Sequence, residues 1–482
     1  MVNRSTSAKV ARSSATADLV DALGDWTAGT GPLYRRLARA VTTAVEQGEV
    51  ASGVRLPSER MLAPAIAVSR GVVVSAYDAL VATGLVERRP GSGTFVAGPA
   101  GGAPPPGREG SSLVRRLVER AASPELIDLS ISVLTDPTGL PDVRVSTRDL
   151  GEAGADPWGL PELRRRVAER LGAIGLPTEP EQVVITTGAQ QGLSIAAGCW
   201  LRPGDAVVVD DPTYPGVLSA VLAAGARPVP VPVDRRGPVL RAFEAALAER
   251  PALAYVQSGV HSPTGGRLSD HRRREIARLV REHRVPLVED HAMFALDWGT
   301  DRLPPPIAAH APDHPIAVVG SYSKRFWAGL RVGFVRAPGP VAARLVRVKA
   351  THDLGSSAVS QAMALRLLDH RGHERFVARR NEVLAARAVA LHRLLAAHLP
   401  TWTADVPDGG LSLWVRLPGP VAARFAEVAV RHGVSVAPAD GLTATPAAHR
   451  DRLRLTFARS EPELREAVLR LERAWRELSS PG

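Results

Sequence analysis

The chain has 482 residues, with 60 Lys and Arg against 49 Asp and Glu, and a formal net charge of +11. Its length predicts two or three domains, and its basic charge is compatible with a nucleic-acid partner. The single cysteine, Cys199, excludes an internal disulfide and a zinc site built from several cysteines. Because no apolar run reaches the roughly 20 residues of a membrane span and no signal-peptide pattern is present, we expect a soluble cytoplasmic protein.

The N-terminal part of the sequence predicts helices followed by a hairpin. Residues 1–30 are predicted to be a polar tail with a short helix at 18–26, and a longer helix begins at Leu33. Two shorter helices follow Ser58 and Ser69, both favoured N-cap residues. Two strands, 85–89 and 94–96, are then joined by a Pro/Gly turn. This order describes a winged helix-turn-helix, whose second short helix enters the major groove of DNA.

Residues 31–98 are assigned to this domain, which resembles the winged-helix domain of GntR-type transcription factors. The resemblance rests on LPSER at 56–60, VSR at 68–70 and GSGTFV at 91–96. It implies contacts with double-stranded operator DNA from Arg55, Ser58, Arg60, Ser69, Arg70, Arg88 and Gly93. One departure is Pro64 inside the first of the two short helices, where proline is expected to shorten or kink the helix.

Residues 99–125 are predicted to link two domains. The run GPAGGAPPPGREG at 98–110 lacks periodicity and is rich in Pro and Gly, which is typical of a spacer. Residues 111–122 predict a short basic helix that either lies near the DNA or packs on the following domain.

From residue 126 to 482, β-like runs alternate with helical patterns. This rhythm predicts an α/β domain with a mostly parallel sheet and helices on both faces. Strands are expected at 183–186, 206–210, 252–257, 285–290 and 316–321, and an amphipathic helix at 268–283. In such sheets, ligands bind at the carboxyl ends of the strands.

The residues at these strand ends suit a phosphate and an aromatic ring. The run Gly188-Ala189-Gln190 opens a helix, and free amides at a helix N-terminus bind phosphate. Tyr214 follows the next strand. Asp290 ends the strand at 285–289, where a buried carboxylate can keep a pyridine nitrogen protonated.

The run VVGSYSKRFWAGLRVGF at 318–334 adds a candidate nucleophile. Lysine occurs only at Lys9, Lys324 and Lys349, although arginine is abundant. A partly buried lysine can lose its proton and form an imine, whereas arginine stays protonated. Lys9 lies in the predicted tail, and Lys349 is interpreted as part of a basic helix face. Lys324 is therefore the candidate Schiff-base residue.

Phosphate-binding groups surround this lysine in the sequence. Ser321 and Ser323 supply hydroxyls, and Arg331 supplies a guanidinium. A phosphate next to an imine-forming lysine indicates pyridoxal 5'-phosphate (PLP), which carries a reactive aldehyde and a phosphate.

From about Gly139 to its end, the chain resembles the fold type I PLP enzymes, the aspartate aminotransferase superfamily. The resemblance implies a smaller C-terminal subdomain beside the large one. It implies that Tyr214 stacks on the PLP ring, that Asp290 pairs with the ring nitrogen and that Lys324 holds the aldehyde. The implied phosphate site comprises Ala189, Gln190, Ser321, Ser323 and Arg331. The run LRLTFA at 453–458 implies that Arg454 grips an effector carboxylate.

Two departures from the superfamily pattern concern the PLP ring hydroxyl. The superfamily has Asn where this chain has Ser262, and a Tyr at the position of Ala292 or Met293. Loss of both hydrogen-bond partners predicts PLP binding with weak or absent turnover. Ser262 and His291 are the candidate substitutes, and the sequence does not choose between them.

The order of winged helix, linker and aminotransferase-like domain resembles the MocR-like transcriptional regulators over nearly the whole chain. The resemblance implies a head-to-tail homodimer in which PLP itself, or a small amine or amino acid, is sensed through a Schiff base. Two alternatives stay open. One is a working aminotransferase that carries a DNA-binding domain, and the other is a regulator whose second domain only dimerises it.

Overall fold

The structure is a computed structural model of the chain. It describes residues 19–20, 22–24, 26–27, 31–46, 50, 54–83, 85–89, 93–96, 126–150, 156–299, 303–445 and 448–479. The chain divides into two compact units, one up to residue 108 and one from residue 109 onward. Most of the expected polar tail, the Pro/Gly-rich linker and the basic helix at 111–122 lie outside the described residues.

The N-terminal unit contains the helices and the hairpin that the sequence predicts. Its continuous elements are α1 (Leu33–Glu46), α2 (Glu59–Ala65), α3 (Arg70–Ala82), β1 (Val86–Arg89) and β2 (Gly93–Val96). The hairpin is antiparallel, with Val86 opposite Val96. Pro64 lies inside α2, which has seven residues and ends one residue later. The helix is short, and Pro64 removes one of its backbone hydrogen-bond donors.

One apolar core joins the helices of this unit. Leu37 of α1, Leu62 of α2 and Tyr77 of α3 are fully buried in it. The Tyr77 hydroxyl donates a hydrogen bond to the carbonyl of Pro57 at 2.9 Å. This bond fixes α3 against the start of α2, which sets the position of the second short helix.

An eight-stranded sheet forms the centre of the C-terminal unit. After the short strand β3 (Ile127–Asp128), its members are β4 (Val183–Thr186), β5 (Ala206–Asp211), β6 (Arg227–Asp234), β7 (Gly237–Pro238), β8 (Leu253–Gln257), β9 (Leu287–Asp290), β10 (Ile316–Ser321) and β11 (Gly333–Arg336). The spatial order is β4-β11-β10-β9-β8-β5-β6-β7. Only β7 and β11 run antiparallel to their neighbours, so the sheet is mostly parallel, as predicted. Strands β6, β7 and β11 are not among the strands that the sequence predicts.

Helices cover both faces of this sheet. They are α4 (Pro161–Ala173), α5 (Ala189–Trp200), α6 (Pro215–Ala223), α7 (Leu240–Ala248), α8 (Asp270–His283), α9 (Gly339–Asp353) and α10 (Ala358–Asp369), and the long helix α11 (His373–His398) follows α10. One apolar core contains residues of α4, α7 and α8, and a second contains residues of α5, α6 and α9. Every residue of β4, β8 and β9 is buried, as a parallel sheet with two covered faces requires.

A smaller subdomain follows at the C-terminal end. It contains β12 (Ser412–Arg416), α12 (Ala422–Arg431), β13 (Val434–Ser435), β14 (Ala437–Pro438), β15 (Arg452–Thr456) and α13 (Glu461–Ser479). Strands β12, β15 and β14 form an antiparallel sheet, and β13 pairs with β3. Its core also includes buried residues of α11.

Among the described residues, no single helix has the length and hydropathy needed to cross a membrane. One bent helix pair, Glu59–Ala65 with Arg70–Val81, meets that test by length and composition alone.

Candidate functional site

The residues predicted to carry chemistry meet at one edge of the large sheet. Gly188, Tyr214, Ser262 and Lys324 each follow the carboxyl end of a strand (β4, β5, β8 and β10), and Asp290 is the last residue of β9. These five strands are mutually parallel. Arg331 reaches the same edge because it precedes the antiparallel strand β11.

Gly188 and Arg331 meet at the N-terminus of α5, and together they are called the anion cradle. Gly188 caps the helix with a φ of +87°, and a Cβ there would approach the Arg331 guanidinium to 3.3 Å. A Cβ on Gly333 would lie 2.8 Å from Gly188 Cα, so only glycine fits. Arg331 itself adopts a left-handed conformation and donates to the Thr187 carbonyl at 3.0 Å. A guanidinium therefore faces the first amides of a helix, which is a setting that favours phosphate.

Two serines flank this cradle at the end of β10. Ser321 is half-buried, and Ser323 is buried. The Ser323 hydroxyl has no hydrogen-bond partner among the residues the structure describes. Since a buried polar group without a partner is costly, this hydroxyl fits a site completed by a bound ligand.

The Lys324 amine is held close to the segment after β3. The side chain is half-buried, and Nζ donates to the carbonyl of Ser132 at 2.5 Å. Burial, followed by the nearby Arg454 guanidinium, lowers the pKa of Lys324 to about 8, although the Asp290 carboxylate opposes the shift. The amine is therefore far easier to deprotonate than that of an exposed lysine.

Asp290 is a buried carboxyl with defined donors. It accepts hydrogen bonds from the Tyr255 hydroxyl at 2.7 Å and from the Ala292 amide at 2.8 Å. Burial raises the pKa of Asp290, and these two donors and Lys324 lower it, with a net rise. Tyr255 is not identifiable from the sequence alone, because a tyrosine inside a predicted strand looks like an ordinary core residue.

Tyr214 is oriented by its neighbours on α5 and α6. Its hydroxyl donates to Gln190 Oε1 at 3.1 Å, and Gln190 Nε2 donates to the Gly216 carbonyl at 3.0 Å. A Cβ on Gly216 would lie 2.2 Å from the Tyr214 ring. The ring therefore packs directly on a glycine, and the Gln190 side chain accepts the hydrogen bond that orients the tyrosine.

Ser262 and His291 differ in their surroundings. The backbone of Ser262 is held by two hydrogen bonds to the buried Gln257 side chain, at 2.9 and 3.0 Å. The His291 ring packs against Phe294 in a tilted arrangement, with centroids 4.3 Å apart, and lines a cavity together with residues of α4. Burial lowers the pKa of His291 to about 3, so the ring is neutral. Met293 packs in the core of the small subdomain.

Arg454 lies on β15, buried, and donates to the carbonyl of Ser130 at 2.5 Å. The segment 130–132 therefore receives hydrogen bonds from both Lys324 and Arg454. No residue of this segment has a side chain that marks it in the sequence, because the contacts use backbone carbonyls.

Residues 443–445, which precede β15, are hydrogen-bonded to the end of β5. Thr443 and Thr445 donate through their hydroxyls to the Asp211 carboxylate at 2.6 and 2.5 Å, and the Ala444 amide donates at 3.0 Å. Asp211 lies three residues before Tyr214. This connection joins the strand that bears Arg454 to the loop that bears the tyrosine.

Lys349 lies on a helix, as the sequence predicts. It belongs to α9, is fully buried, and its Nζ pairs with Asp353 at 2.8 Å. The amine therefore turns inward to a carboxylate one helical turn later.

The residues expected to contact DNA are accessible in the N-terminal unit. Those classed as exposed are Arg55, Ser58, Arg60, Ser69, Arg70 and Arg88. Gly93 is half-buried with a φ of +116°, and a Cβ there would meet Arg55 Nε at 2.7 Å. Ser58 and Ser69 occupy the predicted N-cap positions, but neither side chain makes a capping hydrogen bond. Arg88 is paired with Asp78 at 2.7 Å.

Two family models match the chain. Residues 33–96 match the gntR family of bacterial regulatory proteins, and residues 124–471 match aminotransferase class I and II. The N-terminal unit therefore has a fold that implies DNA binding.

Curated relatives include both regulators and enzymes. The HTH-type transcriptional regulator TauR of Rhodobacter capsulatus is 28% identical over 93% of this chain and 97% of its own. The probable rhizopine catabolism regulatory protein MocR of Rhizobium meliloti is 28% identical over 80% and 82%. The 2-aminoadipate transaminase of Thermus thermophilus is 32% identical over 66% of this chain and 79% of its own.

A solved structure supports the same assignment. The α-aminoadipate aminotransferase LysN of Thermus thermophilus, complexed with N-(5'-phosphopyridoxyl)-L-leucine, aligns with a TM-score of 0.68 and 28% identity over 79% of this chain and 98% of its own. The chain belongs to the aminotransferase class I and II family and, with its gntR-family domain, has the architecture of the MocR-like transcriptional regulators.

Proposed function

We propose that the chain is a PLP-dependent, DNA-binding transcriptional regulator that senses a small amine or amino acid. One observation carries the proposal. A half-buried amine (Lys324), a buried carboxyl (Asp290) and an anion cradle (Gly188 with Arg331) meet at one sheet edge, in a chain that also has a winged helix-turn-helix unit.

The residues present fit PLP. The buried Ser323 hydroxyl lacks a partner among the described residues, and the glycine-lined cradle keeps helix amides open to an anion. When bound, PLP supplies an aldehyde that reacts with amines and a ring that withdraws electrons. Lys324 would hold the aldehyde and Asp290 the ring nitrogen. The phosphate would be held by Ala189, Gln190, Ser321, Ser323 and Arg331.

The protein's own groups prepare this chemistry. The lowered pKa of Lys324 leaves a usable fraction of its amine unprotonated near neutral pH, and only that form is nucleophilic. Asp290 uses one oxygen for Tyr255 and the other for Ala292, and each oxygen retains a lone pair for a further donor. The Tyr214 ring, packed on Gly216, offers a flat face for stacking.

Arg454 supplies the second anchor for an effector. It is close enough to Lys324 to lower the pKa of that amine. A guanidinium binds a carboxylate in a two-pronged geometry that an ammonium cannot match. An effector with an amine and a carboxylate would therefore place its amine at the aldehyde held by Lys324 and its carboxylate on Arg454, which favours amino acids over simple amines.

The hydrogen bonds between residues 443–445 and Asp211 connect the effector site to the rest of the C-terminal unit. An effector that draws Arg454 toward the sheet edge acts on β15 and on the loop before it. In the proposed homodimer, this displacement changes how two DNA-binding units are presented to the operator. The expected DNA contacts are Arg55, Ser58, Arg60, Ser69, Arg70, Arg88 and Gly93.

A working aminotransferase is the second candidate function. It is favoured by the presence of Lys324, Asp290 and Arg454 in one site, and by the similarity to a transaminase. Replacement of both ring-hydroxyl partners argues against it, because those partners tune proton transfer at the reacting carbon. We expect turnover well below the ordinary range of roughly 1 s⁻¹ or more.

The test is the visible absorption spectrum of the purified full-length chain with PLP, for wild type beside Lys324→Ala. A band formed by the wild type alone supports covalent PLP binding at Lys324. The DNA affinity of the PLP-loaded wild type is then measured with a panel of amino acids. Absence of a band in both proteins refutes the cofactor, and fast transamination refutes the regulator without turnover.

A further inference from the structure

A continuous chain of hydrogen bonds joins Lys349 to the anion cradle. Lys349 Nζ donates to Asp353 Oδ1 at 2.8 Å. Asp353 Oδ2 accepts from Gln191 Nε2 at 2.7 Å, and Gln191 Oε1 accepts from the Thr187 amide at 2.7 Å. The Thr187 carbonyl in turn accepts from Arg331 Nη2 at 3.0 Å. The chain thus starts at an amine with no exposed surface and ends at the guanidinium of the cradle.

The direction of each bond in this chain follows from the chemistry of its ends. An ionised carboxylate only accepts, so Gln191 must turn its NH₂ toward Asp353 and its oxygen toward Thr187. An ammonium only donates, so Lys349 keeps Asp353 ionised. The bonds from Gln191 and Lys349 hold the pKa of Asp353 below its usual value despite its partial burial.

The same carboxylate also organises the loop after α9. The Gly355 amide donates to Asp353 Oδ1 at 3.1 Å, and the Thr187 hydroxyl lies 3.3 Å from the Ser356 hydroxyl. Lys349 is enclosed and Asp353 is half-buried, so removing one partner leaves the other charge uncompensated, which is more disruptive than losing an exposed ion pair. Residues 187–191 therefore depend on α9 for their conformation.

We propose that Lys349 and Asp353 are positioning residues for the phosphate end of the cofactor site. They hold residues 187–191 so that the first amides of α5 and the Arg331 guanidinium converge on one anion. The inference rests on the proposed PLP binding, and it assigns a role to the one lysine besides Lys324 within the described residues.

The test compares PLP with pyridoxal, which has the same ring and aldehyde but no phosphate. Dissociation constants for both are measured on full-length wild type and Lys349→Met, with thermal unfolding as a check on folding. We expect Lys349→Met to weaken PLP at least about tenfold, or about 1.4 kcal/mol, and to leave pyridoxal within about twofold. Arg347→Met removes an exposed charge two residues away on α9, and we expect it to change neither constant.

A second variant keeps the test decisive if Lys349→Met does not fold. Gln191→Leu breaks the same chain but leaves the ion pair of Lys349 with Asp353 intact. It is expected to give the same selective loss of PLP, and the double variant is expected to lose no more than the worse single variant, because both act through one path.

The outcomes separate this inference from the proposed function. Wild type that binds PLP, with Gln191→Leu retaining the wild-type ratio of PLP to pyridoxal affinity, overturns the positioning role alone. Equal weakening of both ligands also overturns it, because a merely structural defect acts on both. Wild type that binds neither ligand overturns the proposed cofactor together with this inference.

Discussion

We expect the rate at which Lys324 captures PLP to change with pH in proportion to the unprotonated fraction of the Lys324 amine. Burial and the Arg454 guanidinium lower the pKa of Lys324 to about 8. With that pKa about 9% of the amine is neutral at pH 7, against about 0.04% for an unperturbed lysine with a pKa of about 10.4. The neutral fraction sets the rate because only the free amine attacks an aldehyde.

These fractions predict the shape of the pH profile. From pH 7 to 8 the neutral fraction rises from about 9% to about 50%, a factor of about 5.5, and from pH 8 to 9 it rises less than twofold. An unperturbed lysine would give close to a tenfold rise for each of those units. The assay is stopped-flow absorbance at low PLP concentration, with a small model amine in the same buffers to correct for the titration of PLP itself.

Two variants that each remove one charge are expected to move the midpoint of the pH profile in opposite directions. Arg454→Leu removes a positive charge near Lys324. Because this removal stabilises the protonated amine, it raises the pKa of Lys324 and slows PLP capture at pH 7. Asp290→Asn removes a negative charge, lowers that pKa and moves the midpoint to lower pH. Only midpoints are compared, since both residues also face the ligand. A nearly tenfold rise per pH unit up to pH 9, or midpoints that move in the same direction, would refute the reasoning.

Three further predictions concern other parts of the chain. Arg60→Ala is expected to lower operator affinity about tenfold and to reduce by about 1 the slope of log affinity against log salt concentration. Arg88→Ala should have a smaller effect, because Arg88 is already paired with an aspartate. Equal effects of the two variants, measured by fluorescence anisotropy, would contradict this. Gly216→Ala places a Cβ 2.2 Å from the Tyr214 ring and is expected to weaken PLP about tenfold, near the upper range for one aromatic stack; a titration within twofold of wild type would count against it. Tyr77→Phe removes a buried hydrogen bond worth about 1 kcal/mol and is expected to speed amide exchange in α3 about fivefold, with unchanged exchange as the contrary result.

Much of the fold can be predicted from local patterns. The five strands expected in the α/β domain are present, because runs of apolar residues between helical segments are buried on both faces. Strand β11 escapes such prediction, because it has only four residues and the first two of them end the lysine-bearing run at 318–334. The short strand β7 likewise has no hydrophobic pattern of its own.

The site is predictable only where a side chain carries the chemistry. Lys324 and Asp290 are identified by residue type and by position after a strand. The carbonyls of Ser130 and Ser132 hold Arg454 and Lys324, yet backbone contacts leave no trace in residue identity. The inward turn of Lys349 is equally hidden, since its partner Asp353 lies at a spacing that also suits an exposed helix pair.

The two lysines of the C-terminal unit are expected to differ in their reactivity toward amine-modifying reagents, so chemical labelling can report on the site. Acylating reagents modify free amines, and the Lys349 amine is enclosed and ion-paired, whereas Lys324 is half-buried with a pKa of about 8. Since this chain has only three lysines, mass spectrometry after brief acylation gives almost a single-residue reading of the site. Protection of the Lys324 peptide by an added compound would reveal an occupant even if that compound produced no colour, which opens the site to effector screening in crude mixtures.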